Sequence, residues 1–181
     1  ESVESAYADV SIERWSYEYI KDLTDKKIIC GNNNGLFEPE RSITRAEFIK
    51  MIVLALGLEE ADNGARFDDV SDKDWYSSYV KTACTQGLAE GYDGHFGAND
   101  YITREDMCVI VHRSSGELPK TKESIDFDDA EEISDYARDS VAALCSAGIV
   151  NGEDGSFNPK APAAREQAAK LVSSVCRQRK E

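Results

Sequence analysis

Apolar residues recur at helix-like spacing in six stretches of the chain. Ile20, Leu23 and Ile28, then Val80, Ala83 and Leu88, then Val141, Leu144 and Ile149 each predict an amphipathic first helix. Each would run from an aromatic residue (Trp15, Trp75, Tyr136) to a glycine (Gly31, Gly91, Gly152). The pattern changes beyond a glycine-bearing loop. Phe48, Ile49 and Met51 to Leu56 are apolar nearly all round, with Met107 to Val111 and Leu171 to Val175 as counterparts, and such helices belong in the middle of a structure. Thr44 and Thr103 stand three residues before Glu47 and Asp106, the capping-box spacing that starts a helix. Asn32-Asn33-Asn34-Gly35, Tyr92-Asp93-Gly94 and Glu153-Asp154-Gly155 carry Asn-Gly or Asp-Gly turn signals and are expected to close short hairpins. Glu59 to Arg66 and Ser114 to Ser124 are polar, contain Gly or Pro, and read as connections.

In register, these landmarks form one unit written three times. The first copy reads Tyr7-Ala8-Asp9-Val10, Trp15, Gly31, Asn34-Gly35-Leu36-Phe37 and Ile43-Thr44-Arg45-Ala46-Glu47. The second reads Phe67-Asp68-Asp69-Val70, Trp75, Gly91, Asp93-Gly94-His95-Phe96 and Ile102-Thr103-Arg104-Glu105-Asp106. The third reads Phe127-Asp128-Asp129-Ala130, Tyr136, Gly152, Asp154-Gly155-Ser156-Phe157 and Ala163-Ala164-Arg165-Glu166. The box aspartates recur every 60 residues, and box Asp and loop-end Arg lie 36, 35 and 36 apart. So long and close a period marks a repeated supersecondary unit. The repeats span 7–58, 67–116 and 127–176. A unit of that size is marginal alone, so 1–181 is expected to fold as one cooperative domain with a shared core.

These motifs resemble the S-layer homology module, whose pattern is F-x-D-V, a Trp about six residues on, G-x-x-x-G-x-F-x-P and I-T-R-A-E. The resemblance covers roughly residues 7 to 176. It implies a mostly all-α fold, a three-repeat pseudo-threefold spindle with a central three-helix bundle and outward helix-loop prongs. It also implies an extracellular module in the bacterial cell wall or S-layer that binds the secondary cell-wall polysaccharide without covalent attachment, in grooves between repeats. Three departures weaken the pattern: Ala164 replaces the capping Thr, Tyr136 replaces Trp, and Ala98 replaces the loop proline seen as Pro39 and Pro159.

Composition narrows the partners. The net charge of −14, from 35 acidic against 21 basic side chains, disfavours nucleic acid and an anionic membrane surface, which are held by clustered Lys and Arg. The longest apolar run, Met51 to Leu58, falls far short of a membrane span. No basic start followed by an apolar stretch is visible, as expected of a mature or excised chain. Five cysteines without a C-x-x-C pair argue against a disulfide framework and a zinc ribbon, and their alternation with apolar residues across repeats predicts free thiols in core positions. The Asn- and Asp-rich loops lack the acid that closes a calcium loop, and Cys108 with His112 lacks further ligands, so no metal or cofactor is expected.

An anionic ligand needs local cations, and Arg45, Arg104 and Arg165 are the candidates. A first-turn Arg faces an already positive helix end, so helix stability does not explain it. Beside free helix N–H groups a guanidinium would make a pocket for a carboxylate, phosphate or pyruvyl ketal, the alternative being structural pairing with a nearby acid. Asp9, Asp69 and Asp129 read as helix caps, groove residues for sugar hydroxyls, or both. Trp15, Trp75 and Tyr136 are core plugs or sugar-stacking platforms, with their place at a helix start favouring at least partial core packing. Gly31, Gly91 and Gly152 supply a backbone conformation or a close approach. No catalytic constellation stands out, so the chain is expected not to be an enzyme. The leading function is cell-wall anchoring through a pyruvylated or otherwise anionic polysaccharide. The alternative is a protein–protein scaffold for neighbouring surface-layer subunits.

Overall fold

A computed structural model describes residues 5–61, 63–116, 118 and 125–178. Position 62 of the first predicted connection, and positions 117 and 119–124 of the second, lie outside them. The protein is mostly helical: α1 (Tyr17–Asp25), α2 (Arg45–Ala55), α3 (Ser77–Thr85), α4 (Arg104–Ser114), α5 (Asp135–Ser146) and α6 (Arg165–Gln178), with a 3-10 turn at Ala130–Glu132. Among the described residues β pairing is limited to isolated bridges.

The first helices are shorter than their apolar pattern suggests. Lys27, Gly87 and Gly148 take φ of 59°, 68° and 68°, a left-handed turn that ends each helix. The N–H groups of Ile28, Leu88 and Ile149 fold back onto the carbonyls of Leu23, Ala83 and Leu144. The last apolar residue of each pattern therefore packs beneath the chain reversal and is not helical.

The second helices start as the spacing predicts, with variations. Thr44 and Glu47 form the full reciprocal box. Thr103 accepts from the Asp106 N–H, but the shorter Asp106 side chain does not return the bond. Ala164 has lost the hydroxyl, and the other half survives, its N–H donating to Gln167 Oε1 at 3.1 Å.

Packing is out of phase with the sequence repeat. α2, α4 and α6 contact one another, while each first helix lies on the second helix of the preceding unit: α3 on α2, α5 on α4 and, closing the circuit, α1 on α6. At the centre Ile43, Ile102 and Ala163, all buried, form a ring of backbone hydrogen bonds. Ile43 N–H donates to Ala163, Ala163 to Ile102 and Ile102 to Ile43, at 2.9–3.1 Å. One core runs through all three units and contains Phe48, Ile52, Ile110, Val111, Val172 and Val175.

Two buried carboxylates clamp the circuit. Glu166 on α6 accepts from Arg14 Nε at 2.7 Å and Ser16 Oγ at 2.6 Å, tying unit three to unit one. Glu105 on α4 accepts from the Ser134 N–H and hydroxyl and pairs with Lys160, tying unit two to unit three. Unit one has Ala46 at this position.

Candidate inter-unit grooves

Each repeat builds the same small frame from its landmark residues. The box aspartate holds the turn of its own unit. Asp9 accepts from the N–H groups of Phe37 and Glu38 at 2.8 and 2.7 Å. Asp69 accepts from Phe96 and Gly97, and Asp129 from Phe157 and Asn158, at 2.6–2.8 Å. Burial raises the Asp69 and Asp129 carboxyl pKa values, but the paired amide bonds outweigh it and hold both below the ordinary range. The box ring packs against the turn phenylalanine at 5.4–5.6 Å between centroids, Tyr7 on Phe37 and Phe67 on Phe96 tilted and Phe127 on Phe157 stacked. A Cβ at Gly31, Gly91 or Gly152 would come within 2.7, 2.2 or 2.6 Å of that box ring.

Onto this frame the preceding unit lays its arginine. Arg45 lies 4.9 Å from the Phe96 centroid, Arg104 5.2 Å from Phe157 and Arg165 4.6 Å from Phe37. Arg45 donates to the Glu90 carbonyl, Arg104 to Phe157, and Arg165 to Phe37 and Cys30. Neighbouring-unit carbonyls also take the first-turn N–H groups. Arg45 and Ala46 donate to Asp100 and Ala98, Arg104 and Glu105 to Ala161 and Pro159, and Arg165 and Glu166 to Arg41 and Pro39. The first two helix N–H groups expected to be free beside each guanidinium are therefore already satisfied.

Two grooves open beside these arginines. The Arg45 groove, about 580 Å³, is lined by Gly91, Tyr92, Tyr101, Asp106 and Arg113 of unit two and Tyr136 of unit three. The Arg104 groove, about 330 Å³, is lined by Gly152, Phe157, Gln167 and Lys170 of unit three and Trp15 of unit one. Their charges differ because each arginine faces the third residue of the next unit's second helix. Arg45 Nη1 lies 3.9 Å from Asp106 Oδ2, and Arg165 Nη1 lies 3.7 Å from Glu47 Oε1. Arg104 faces the neutral Gln167, and among the described residues neither Arg104 nor Lys170 has a carboxylate in ion-pair range. Burial, and after it the charge of Arg104, lower the Lys170 pKa. Of the carboxylates at this groove, Glu153 is exposed and Glu166 is held by Arg14 and Ser16.

The family pattern of the S-layer homology domain matches residues 6–49, 66–108 and 126–169. The chain belongs to the S-layer homology domain family. Similar proteins include an amylopullulanase of Thermoanaerobacterium thermosulfurigenes, 36% identical over 88% of this chain. Others are Exoglucanase XynX of Acetivibrio thermocellus, 35% identical over 88%, and the Surface-layer 125 kDa protein of Lysinibacillus sphaericus, 28% identical over 90%. The chain spans 9%, 15% and 14% of those relatives' own length. Family and relatives place it at the bacterial cell-wall surface, and no helix among the described residues is long and apolar enough to cross a membrane.

Within this S-layer homology frame several residues differ in detail from their sequence reading. The box aspartates cap turns, not α-helices, since α1, α3 and α5 follow Ser16, Tyr76 and Ser134. The three motif glycines provide room for a ring and none has a positive φ. Trp15, Trp75 and Tyr136 are 54%, 55% and 62% exposed, which removes the core-plug reading. Trp15 and Tyr136 line the two grooves, and Trp75 lies under Lys50 Nζ at 5.6 Å. All five cysteines are free, as expected, but Cys30 is exposed where a core position was expected. Lys170, Gln167 and Asp106 were missed. The signal available was Lys50 and Lys170 recurring five residues after Arg45 and Arg165.

Proposed function

We propose that this chain is a non-catalytic module that holds a larger protein to the cell wall by binding an acidic wall polysaccharide, pyruvylated or otherwise anionic, in its inter-unit grooves. The observation that carries this reading is the Arg104–Lys170 pair. Among the described residues neither cation has a carboxylate in ion-pair range, Asp129 acting on Arg104 only from beyond it, so the two cations repel one another and an anion placed between them relieves that repulsion. Trp15 stands beside them with an exposed ring suited to the apolar face of a sugar. The arrangement thus offers a charge clamp and a stacking surface on one ligand-sized groove.

Purified wall sacculi test this directly. The protein is expected to co-sediment with native sacculi and to stay in solution once hydrofluoric acid has removed the secondary polymer. Arg104→Ala should weaken binding to polymer fragments by about 1.5–3 kcal/mol, the range for a charge-assisted hydrogen bond. Arg104→Lys should restore part of the loss, because an ammonium lacks the planar two-point contact. Unchanged binding to stripped sacculi would overturn the reading and favour a protein–protein scaffold.

A further inference from the structure

The Arg45 groove has the same frame as the Arg104 groove and the opposite electrostatic logic. Arg45 faces Asp106, and the second cation lining this groove, Arg113, sits 3.4 Å from Glu90 Oε1. Asp100 adds a further carboxylate to the lining, and Val109 stands where the other groove has Lys170. Asp106 also accepts the Tyr136 hydroxyl at 2.7 Å. Both arginines lining this groove have a carboxylate in ion-pair range, although the buried Arg45 Nε keeps no acceptor, so an incoming acid would meet three carboxylates against two partly compensated cations.

The groove is unusual also in its aromatic surface. Tyr92 is 86% exposed and Tyr101 59% exposed, and both line it with Tyr136. The corresponding positions are Glu153 and Pro162 in unit three, and Asn32 and Ser42 in unit one. The two rings stand on held backbone: Tyr92 exchanges both hydrogen bonds with His95 across a two-residue hairpin, and Tyr101 bridges to Thr44 of unit one. A rigidly presented tyrosine offers contact area at little entropic cost, with a hydroxyl for a sugar oxygen.

We propose that the Arg45 groove is a neutral-sugar site, which takes an uncharged stretch of saccharide laid across Tyr92, Tyr101 and Tyr136 while the acid-bearing sugar goes to the Arg104 groove. The inference rests on the wall-polysaccharide reading above. Asp106 sets the selectivity: its carboxylate cancels Arg45 and accepts sugar hydroxyls, which Gln167 opposite Arg104 does not do as an anion.

The test uses wall-polymer fragments before and after conversion of their carboxylates to methyl amides, titrated by NMR into the full chain. The amidated fragments should shift the ring signals of Tyr92 and Tyr101 and leave Trp15 unmoved. Tyr92→Ala combined with Tyr101→Ala should weaken their binding about tenfold, the scale of an aromatic contact, and leave the response of Trp15 to untreated fragments intact. Asp106→Asn should make Tyr92 and Tyr101 respond to the untreated acidic sugar more strongly than in the parent. If the amidated fragments move Trp15 first, or bind the double tyrosine variant as tightly as the parent, the neutral-sugar assignment is wrong. Parent protein that binds native sacculi but not amidated fragments overturns this inference alone, whereas protein that binds neither sacculi nor any fragment overturns the wall-binding reading with it.

Discussion

The Arg45 and Arg104 grooves share an aromatic box, a turn phenylalanine and an arginine laid over it from the preceding unit, and they differ in what the next second helix contributes. In one, Asp106 and Val109 give a compensated, tyrosine-lined trough; in the other, Gln167 and Lys170 give a cationic pocket beside Trp15. Repetition therefore fixes where an arginine stands, and two side chains from the neighbouring unit decide whether its charge is available. The boundaries differ as well. Units two and three are clamped by Glu105, and three and one by Glu166, whereas between units one and two the residue at the clamp position is Ala46.

The largest effect should come from the clamp. Glu166→Ala removes the buried acceptor that Arg14 and Ser16 share between α1 and α6, while Arg14 keeps its pair with Glu40, at an expected cost of about 2–3 kcal/mol. Thermal unfolding measures it, and a loss no greater than that of an exposed pair would mean the circuit does not depend on this closure.

Acid should act on the same two boundaries. Burial raises the Glu105 and Glu166 carboxyl pKa values, but donors from Lys160 and Ser134, and from Arg14 and Ser16, outweigh it and lower both. A lowered folded pKa means stability that is complete above the ordinary glutamate value, about 4.3, and is lost as pH falls through the folded values. The melting temperature should therefore drop steeply below that pH, and Glu166→Gln should flatten the drop. An unchanged profile in the variant would assign acid sensitivity elsewhere.

A smaller change should convert one groove toward the other. Gln167→Glu puts a carboxylate opposite Arg104 while keeping an oxygen for the Ala164 N–H, so affinity for acidic fragments should fall about tenfold, ~1.4 kcal/mol, with little change in stability. Equal affinity for acidic fragments in parent and variant would sink the charge account of the two grooves. The smallest effect concerns the helix reversals. Lys27 holds φ of 59° where units two and three use glycine, so Lys27→Gly should stabilise the protein by about 0.5–1 kcal/mol in denaturant unfolding.

Much of this was legible from local spacing. The three units, the six helical stretches, the Thr44–Glu47 box, the Asp93-Gly94 and Asp154-Gly155 turns and the arginine positions all depend on residues a few places apart, where period and turn chemistry speak directly. The exposed Cys30 was not legible, because its neighbours on the chain are apolar and its environment is set by Arg165. The aspartates misled for a related reason: an acid before a helix is usually its cap, yet here the groups it satisfies lie 27 to 29 residues downstream.

The sequence by itself determined the repeat, its helical content, the family and the presence of one arginine at the start of each second helix, since each is written in local pattern or register. Only the tertiary structure decided which first helix packs on which second helix, that Asp106 and Glu47 oppose two of the arginines, and that Arg104 and Lys170 have no ion-pair partner among the described residues. The physical reason is that these contacts cross from one unit to the next around a closed circuit. Partners some 60 residues apart, or at opposite ends of the chain as with Arg14 and Glu166, leave no periodic trace, and charge compensation is a property of distance in space.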